Sequence, residues 1–502
     1  MQRQTSSADQ FVASLPDPEQ AENVVYNPST DELRAFSSHL ETTTEFGAPS
    51  YVSEDRSRKS ELTKNTIDDE FDDEDRALVA DVTAATADAD LVCVDRQVGR
   101  HPDHSYVCRY YVPEEYGRIA LSLSKLLEPA PEGAEPDFYT VQLPDWEETG
   151  IRVLPEEGYT VVAGSDYTGE AKKSFLRLFM LEAKRMGGLG LHAGSKRVTL
   201  EGKDGELEDV GQLFLGLSGT GKSTLTAHDL WLDDPEDATM LQDDVCALLP
   251  DGSVAGSEGK GLFVKTYGLD AETEPAMYDA VTDETAVLEN VDVAEDGTVD
   301  FDSDEYTTNG RAVIERDQLS SAGDDIDLPG VDQIFFITRN PAMPPVAKLT
   351  PEEAAVAFML GESVQTSAGD PSAAGESIRV VGTNPFIVGP AGEEGNRFRD
   401  LIADLDVDCY VLNTGQVGTT DVGVDDTITL LREISRGTLE WEHDDATDLT
   451  VPAEVPGMDM DEFDVAEALP DYESELSKLR AEREVHLDQF DTLDDDITDA
   501  LY

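Results

Sequence analysis

Short runs of apolar residues, many of them β-branched or aromatic, recur along the chain between polar segments that favour turns. Such runs are typical of buried strands, whereas apolar residues spaced three to four positions apart are typical of amphipathic helices. The helical spacing predicts helices over 171–186, 351–360, 426–435 and 473–486, the last of them exposed and highly charged. The apolar runs predict strands over 91–95, 105–112, 159–163, 212–216, 239–241, 245–249, 333–338 and 408–413. Because short strands are mixed with helices along the chain, the sequence predicts an α/β fold with mixed sheets.

The length of the chain, 502 residues, is enough for two or more compact domains. We expect an N-terminal domain over 1–190 and a C-terminal domain over 191–502. The polar, acidic composition at the N-terminus predicts that the first residues, about 45 of them, are poorly ordered. No apolar run approaches the length that spans a bilayer, and the first residues lack the basic and apolar regions of a secretory signal. The sequence therefore predicts a cytoplasmic protein without a membrane partner.

The charge of the chain is strongly unbalanced, with 108 acidic and 36 basic residues and a formal net charge of −72. Self-repulsion of this kind destabilises a compact state at low salt, whereas near 1 M salt the Debye length shrinks to about 3 Å. The acidic residues are spread along the whole chain, which predicts a halophilic protein. Because binding to a phosphate backbone needs a basic surface, the composition argues against nucleic acid as a partner.

The chain contains four cysteines, and no two of them form a CxxC pair. This spacing matches neither a disulfide framework nor a zinc ribbon. We expect buried, reduced thiols at Cys93, Cys108, Cys246 and Cys409.

The strongest local signal is a glycine-rich segment that matches GxxxxGK[ST], placed between a predicted strand and a plausible helix. Its glycines let backbone N–H groups turn towards phosphate oxygens. Its lysine supplies a positive charge to the β- and γ-phosphates, and the following hydroxyl suits Mg²⁺. The segment consists of Gly216, Leu217, Ser218, Gly219, Thr220, Gly221, Lys222, Ser223 and Thr224.

Two further groups of charged residues are candidates for binding. Asp243 and Asp244 follow the predicted strand 239–241, where carboxylates could hold a metal beside phosphates. Arg56 lies in the basic cluster 56–59, which in so acidic a chain suggests an anion site, although a solvated charge run is the simpler interpretation. These signals predict a nucleotide-binding enzyme without choosing among kinases, ATPases and carboxykinases.

Several co-linear segments make the sequence similar to the ATP-dependent phosphoenolpyruvate carboxykinase family. They are the glycine-rich segment itself, LENV at 288–291 with EDGTVDF at 295–301, PPVAKLT at 344–350 and LNTG at 412–415. The resemblance implies an N-terminal substrate-binding domain and a C-terminal P-loop mononucleotide-binding domain with the cleft between them. It also implies the gluconeogenic reaction, in which oxaloacetate and ATP give phosphoenolpyruvate, CO₂ and ADP with Mn²⁺ and Mg²⁺ as cofactors. We expect oxaloacetate and ATP as partners, and a monomer or small oligomer.

The resemblance also assigns roles to individual residues. Arg56 would grip a carboxylate of oxaloacetate, and the loop at 167–173 resembles the family's Y-x-GE-x-KK stretch. Arg311 and Lys265 would stabilise charge as the phosphoryl group moves. The catalytic set is Lys173, His192, Asp243, Lys265 and Arg311; the substrate set is Arg56, Tyr167, Gly169, Lys173 and Arg311; Mn²⁺ would be held by Lys173, His192 and Asp244; Mg²⁺ would contact Ser223; and ATP would be bound by 216–224 with Glu274, Arg311 and Thr427.

The sequence departs from the family pattern at some positions and leaves two alternatives open. Val245 stands where the family usually has a glutamate after the acidic pair, and an arginine expected shortly before Thr427 has no clear counterpart. One alternative is another phosphotransferase on the same fold, such as an HPr kinase-like enzyme that phosphorylates a protein serine. The other is a non-catalytic nucleotide-binding regulator. A requirement for Mn²⁺ beyond Mg-ATP separates the carboxykinase from a regulator.

Overall fold

The structure is a computed structural model that describes residues 9–57, 59–217, 219–364 and 377–502. The chain divides into two compact units. The first comprises the residues up to Phe179 together with Ser257–Ser320, and the second comprises Met180–Gly256 and Ser321–Tyr502. The segment Ser257–Ser320 thus groups with the N-terminal residues, whereas the sequence-based division keeps it in the C-terminal part. The binding roles assigned to the two parts stay predictions.

The first unit is built on two mixed sheets. The larger sheet has a core formed by Val141, Val161 and their neighbours, on which the helix Asp73–Ala85 packs. Its strands, in spatial order, are Val24–Tyr26, Leu91–His101, His104–Pro113, Phe138–Leu143, Tyr159–Ala163, Gly150–Leu154 and Thr63–Asn65, with Glu128–Pro129 beside the second. The smaller sheet has the order Gly261–Lys265, Arg311–Glu315, Val287–Glu289, Pro49–Tyr51 and Glu41–Thr43.

The remaining elements of the first unit are short pieces and helices around these sheets. The helix Gly117–Leu126 is buried on nearly every side. The helix Thr168–Arg185 begins in this unit and ends in the second. The others are the helices Asp9–Ser14, Thr30–Phe36 and Pro275–Val281, the 3₁₀ turns Ser38–Leu40, Ser60–Leu62, Glu114–Tyr116 and Arg316–Gln318, and the strand pair Asp292–Val293 with Val299–Asp300.

The second unit is built on a mixed sheet whose three central strands run parallel. The strand Leu207–Gly216 pairs in parallel with Gln333–Thr338, which pairs in parallel with Asp408–Asn413. The carboxyl ends of these three strands therefore meet at one edge, which we call the carboxyl edge. In spatial order the described strands are Asp237–Gln242, Ala193–Glu201, Leu207–Gly216, Gln333–Thr338, Asp408–Asn413, Val346–Leu349, Leu449–Pro452 and Trp441–Asp444.

Both faces of this sheet are covered by helices, because its central strands are apolar on both sides. Leu215 and Phe336 face one core with the helix Pro351–Leu360, while Phe214 and Phe335 face the other with Val424–Ser435. Other elements of this unit are the helices Lys222–Ala227, Ala391–Leu405, Val465–Ala468, Tyr472–Leu487 and Asp495–Asp499, the 3₁₀ turns Val381–Thr383 and Met460–Phe463, the sheet Leu189–Leu191, Cys246–Leu248 and Val254–Gly256, and the strand pairs Glu362–Val364 with Ser377–Arg379 and Gln416–Val417 with Thr420–Asp421.

The predicted α/β class with mixed sheets is confirmed, and the predicted strands 159–163, 333–338 and 408–413 have the expected bounds. The four cysteines are free and buried, as expected. The C-terminal helix is not exposed throughout, because Arg483 is buried and forms an ion pair with Glu362. In the part of the chain that the structure describes, no helix is both long and apolar enough to cross a membrane.

Candidate nucleotide- and substrate-binding sites

The glycine-rich segment joins a central strand to a short helix at the carboxyl edge. The strand ends at Gly216, and the helix Lys222–Ala227 begins with Gly221 as its N-cap. Gly219 and Gly221 have φ angles of 83° and 101°, which side chains rarely tolerate. The glycines are therefore required by the backbone path, and Lys222 is the first helical residue. The predicted contact residue Ser218 lies outside the described residues.

Two threonines hold the shape of this loop. The Thr220 hydroxyl donates to the Leu217 carbonyl at 2.8 Å, which closes the turn. The Thr414 hydroxyl donates to the Thr220 carbonyl at 2.8 Å and reaches it from the end of the neighbouring strand Asp408–Asn413. The loop is thus fixed to the carboxyl edge at both ends. Ser223 and Thr224, the predicted metal and phosphate contacts, are exposed at the start of the helix.

A buried lysine that the sequence reasoning missed anchors the other end of this helix. Lys196 lies on the strand Ala193–Glu201, and its amine donates to the carbonyls of Leu225 and His228 at 2.6 and 2.5 Å. Burial lowers the pKa of Lys196 to about 7, and the charge of Asp229 opposes this shift only in part. A neutral amine keeps two N–H donors, which match these two carbonyls.

The low pKa of Lys196 makes the stability of the protein depend on pH. Between pH 7 and the ordinary lysine value near 10.5, the unfolded chain binds one more proton than the folded chain, so stability rises with pH. We expect the free energy of unfolding of the wild type, relative to Lys196→Met, to rise by about 2 kcal/mol between pH 7.5 and 9.5. Urea unfolding in molar KCl measures this difference. The exposed Lys203→Met is the control, and parallel pH profiles for wild type and Lys196→Met would contradict the account.

A polar cluster lies beside the glycine-rich segment 216–224, which we call the phosphate loop. It consists of Lys222, Asp244 and His192. One carboxylate oxygen of Asp244, Oδ1, lies 3.9 Å from Lys222 Nζ and 2.9 Å from His192 Nε2. His192 comes directly before the strand Ala193–Glu201, and Asp244 follows the strand Asp237–Gln242. Three residues that the sequence assigned separately to phosphate and metal binding are therefore brought together.

The hydrogen bonds of His192 fit a divalent cation. Its Nδ1 lies 2.6 Å from the Thr383 carbonyl, which can only accept, so Nδ1 carries the proton. In the neutral ring Nε2 then presents a lone pair towards the Asp244 carboxylate, an arrangement typical of a metal-ligating histidine oriented by a backbone carbonyl. Thr383 has a φ of 52°, an uncommon value for a β-branched residue. In this conformation its carbonyl contacts the His192 ring. The adjacent Asp243 has a buried Oδ1 without a hydrogen-bond partner among the described residues.

The predicted nucleotide contact Thr427 has a buried side chain. Its hydroxyl donates to the Gly423 carbonyl at 3.0 Å, in the first turn of the helix Val424–Ser435. This is the back-bond to the i−4 carbonyl that helical threonines often form, and the same carbonyl also accepts the backbone N–H of Thr427 at 3.1 Å. Glu274, the other predicted contact outside the loop, is an exposed residue at the start of the helix Pro275–Val281 in the first unit.

In the first unit, two asparagines link three of the predicted substrate-side residues. Arg56 Nη1 donates to Asn290 Oδ1 at 3.1 Å, and the Arg56 carbonyl accepts from Asn309 Nδ2 at 2.9 Å. Asn309 also lies 3.4 Å from the Tyr167 hydroxyl and accepts from Arg311 Nη2 at 2.8 Å. Arg56, Tyr167 and Arg311, which are far apart in sequence, are therefore held together, and the sequence reasoning missed both asparagines.

Gly169 and nearby charges determine the surroundings of Tyr167. A Cβ at Gly169 would overlap the ring of Tyr167, so this position needs glycine for the tyrosine to adopt its place. Burial raises the pKa of the Tyr167 phenol, and Arg311 opposes the shift.

Lys265 pairs with Arg311 across two antiparallel strands. Burial lowers the pKa of Lys265, and the positive charge of Arg311 lowers it further. Arg311 Nε is buried without a hydrogen-bond partner in the described part of the chain, so the site favours an anion.

A buried ion cluster positions the two loops that carry Tyr167 and Arg56. Arg118 is 2% exposed and contacts Asp166 at 2.8 Å and Glu289 at 3.1 Å. Asp166 also accepts the backbone N–H groups of Glu54 and Asp55, directly before Arg56, at 2.9 and 3.0 Å. The cluster therefore fixes the backbone directly before Arg56 and anchors Asp166, the residue directly before Tyr167.

The remaining predicted residue, Lys173, lies in the second turn of the helix Thr168–Arg185 and is partly buried. The preceding Lys172 is buried and pairs with Glu258 at 2.9 Å. Among the described ranges, no cluster of three His, Cys, Asp or Glu side chains could hold a metal. The predicted set of Lys173, His192 and Asp244 contains only two such side chains, and the role of Lys173 stays a prediction.

The second unit has the features of a phosphate-loop nucleotide-binding protein. Ligands of open sheets with parallel strands bind at the carboxyl ends of those strands, and here that edge carries the glycine-rich loop, a helix start and Lys222. The motif and the neighbouring acidic pair fit a metal-bound nucleoside polyphosphate.

Comparison with known proteins gives the family. The family model of phosphoenolpyruvate carboxykinase matches residues 29–461. The chain is 35% identical to phosphoenolpyruvate carboxykinase (ATP) of Aeropyrum pernix over 93% of its own length and 94% of that protein. It is 32% identical to the enzyme of the same name from Azorhizobium caulinodans, over 76% of its length and 73% of that protein. The chain belongs to the phosphoenolpyruvate carboxykinase family, which confirms the resemblance seen in its sequence.

Proposed function

We propose that the protein is an ATP-dependent phosphoenolpyruvate carboxykinase that converts oxaloacetate and ATP to phosphoenolpyruvate, CO₂ and ADP in gluconeogenesis. The observation that carries this proposal is the cluster of Lys222, Asp244 and His192 at the carboxyl edge. A phosphate-binding lysine within 4 Å of a carboxylate that also contacts an oriented histidine joins nucleotide and metal binding at one place. The HPr kinase-like enzyme and the non-catalytic regulator are not favoured by the family.

The reaction has two chemical steps. The bond between the oxaloacetate methylene carbon and its carboxylate breaks, CO₂ leaves, and the electron pair forms the enolate of pyruvate. The enolate oxygen then forms a bond to the γ-phosphorus while the bond to the ADP oxygen breaks. Each step moves negative charge, so catalysis here depends mainly on positioning and on cationic stabilisation.

The residues of the first unit would bind oxaloacetate and stabilise its charge. Arg56 would hold a carboxylate, with Tyr167 and Gly169 shaping the pocket. Arg311 would stabilise the γ-phosphoryl group as it moves, and Lys265 would add a second positive charge beside it. The Nε of Arg311, which has no hydrogen-bond partner within the described ranges, supports this role.

A second set of residues would bind ATP and metal. Lys222 would contact the β- and γ-phosphates, and Ser223 the Mg²⁺ that accompanies ATP. His192 and Asp244, with Lys173, would ligate Mn²⁺, whose nitrogen and oxygen ligands suit that ion. When bound, this cation supplies positive charge for the enolate oxygen. Asp243 would assist through the carboxylate oxygen that has no hydrogen-bond partner among the described residues, and Glu274 and Thr427 would contact the nucleotide.

We also propose that the protein works in the cytoplasm of a cell with high internal salt. The net charge of −72 supports this, because only strong screening removes the repulsion within such a chain.

The test is a coupled assay of phosphoenolpyruvate formation in molar KCl, with oxaloacetate, ATP, Mg²⁺ and Mn²⁺. We expect activity that needs ATP and rises when Mn²⁺ is added to saturating Mg-ATP. We expect activity and folded structure, followed by near-UV circular dichroism, to be lost together when KCl is removed. A folded protein that forms no phosphoenolpyruvate under these conditions would contradict the proposal.

A further inference from the structure

We propose that Arg339, at the carboxyl edge, is a second cation for the phosphate chain of the bound nucleotide, beside Lys222. This inference rests on the proposed function, because it takes ATP as the ligand. It assigns to the chain a nucleotide-binding residue outside the glycine-rich motif.

Arg339 lies next to the start of the glycine-rich segment in the fold. It follows the strand Gln333–Thr338 directly, and that strand pairs in parallel with the strand that ends at Gly216. Ile337 is the partner of Gly216, so the chain beyond Thr338 runs beside the start of the phosphate loop, about 5 Å away. An arginine side chain reaches farther than this distance.

The backbone around Arg339 is held by hydrogen bonds. Thr414 donates its N–H to the Thr338 carbonyl at 2.9 Å and its hydroxyl to the Thr220 carbonyl at 2.8 Å, so one residue joins both chain segments. The buried Asn413 amide donates to the carbonyls of Asn340 and Met343 at 2.8 and 3.0 Å. The backbone on both sides of Arg339 is therefore held before any ligand binds.

A glycine, Gly415, makes room for the side chain of Arg339. A Cβ at Gly415 would lie 3.1 Å from Arg339 Cβ and 3.3 Å from its Cγ, closer than such atoms normally approach. Gly415 therefore lets the stem of Arg339 pass close to the end of the neighbouring strand.

The guanidinium of Arg339 has no partner among the described residues. The chain has 108 acidic residues for 36 basic ones, yet Arg339 forms no ion pair or hydrogen bond with any residue that the structure describes. Its Nε is buried, and burial lowers the pKa of the group. A buried donor without a partner is costly, and a phosphate oxygen would satisfy it. In so acidic a protein, the missing anion is best supplied by a ligand.

The test is calorimetric titration of the full chain in molar KCl with Mg-ATP, Mg-ADP and adenosine. We expect Arg339→Gln to weaken the binding of ATP and ADP by 10- to 100-fold and that of adenosine by less than twofold, because the lost contact is to phosphate. Arg339→Lys keeps the charge but not the planar fork, and we expect at least a threefold loss for ATP. This variant decides the question if Arg339→Gln does not fold.

Arg480→Gln is the matched control, because Arg480 also has a buried Nε without a partner in the described chain but lies on the helix Tyr472–Leu487. It should bind all three ligands as the wild type does. ATP affinity unchanged in both Arg339 variants would overturn the inference, and so would equal losses for ATP and adenosine, which would indicate stacking on the base. Failure of the wild type itself to bind Mg-ATP would instead overturn the proposed function, and the inference with it.

Discussion

Replacing Lys222 by alanine is expected to lower kcat/KM for phosphoenolpyruvate formation by about 10²- to 10³-fold, because a cation on the transferring phosphoryl group is lost. The fold should be retained, since the carboxylate nearest to Lys222, Asp244 at 3.9 Å, keeps its contact with His192. Steady-state kinetics with varied ATP and with varied oxaloacetate measure the effect. The loss should be much larger for ATP-dependent turnover than for the binding of oxaloacetate.

The control for this variant is Lys203→Ala, which removes the same charge from an exposed turn of the same unit. It should leave kcat/KM within about twofold of the wild type, because exposed charges in molar salt are screened within a few ångströms. Equal losses in both variants would mean that net charge, not contact with phosphate, sets the rate.

Replacing Arg118 by methionine is expected to lower the free energy of unfolding by about 3–5 kcal/mol, because it leaves Asp166 and Glu289 buried without their cation. Burial already raises the pKa of Glu289, and Arg118 opposes that shift, so removing the arginine raises the pKa further. Activity should fall as well, because Asp166 holds the backbone in front of Arg56. Urea unfolding in molar KCl gives the stability, and the oxaloacetate KM reports on Arg56.

Two further variants test whether the loss of stability comes from unpaired buried charge. Arg100→Met removes an arginine whose partner Glu128 is 33% exposed, and it should cost about 0–1 kcal/mol. The triple variant Arg118→Met, Asp166→Asn and Glu289→Gln should recover most of the lost stability, because no buried charge is left unpaired. A cost for Arg118→Met no larger than that for Arg100→Met would refute the role of the cluster.

The central strands and capped helices could be predicted because their signals are local. Strands such as Gln333–Thr338 are continuous apolar runs buried on both faces. The helix Pro351–Leu360 has Thr350 as a capping side chain, proline at its start and Gly361 in the left-handed region at its end. Each of these features lies within a few residues of the element that it defines.

Elements with buried charge could not be predicted in the same way. The strand Ala193–Glu201 was missed because Lys196 interrupts its apolar pattern, and the carbonyls that satisfy this amine come from the phosphate-loop helix. The helix Gly117–Leu126 has no polar face, since Arg118 is buried against carboxylates 48 and 171 residues away in sequence. The same holds for Arg483, whose partner Glu362 lies 121 residues away.

The candidate sites also combine residues with local sequence signals and residues that only folding brings together. The phosphate loop is contiguous, so nine adjacent residues carried its signal, whereas Asn290 and Asn309 matter only because folding brings them to Arg56, Tyr167 and Arg311. Arg339 belongs to no motif that could be recognised in the sequence. Its buried Nε lacks a hydrogen-bond partner in the part of the chain that the structure describes, which only a structure can show.

The most direct measurement of the central claim is a double-label assay with γ-labelled ATP and oxaloacetate labelled in the carboxylate next to its methylene carbon. In molar KCl with Mg²⁺ and Mn²⁺, we expect labelled phosphoenolpyruvate and the labelled CO₂ formed above the enzyme-free background to appear in equal amounts, and Lys222→Ala to slow the formation of both by about 10²- to 10³-fold. Label transferred to a protein or to water without CO₂ release would contradict it.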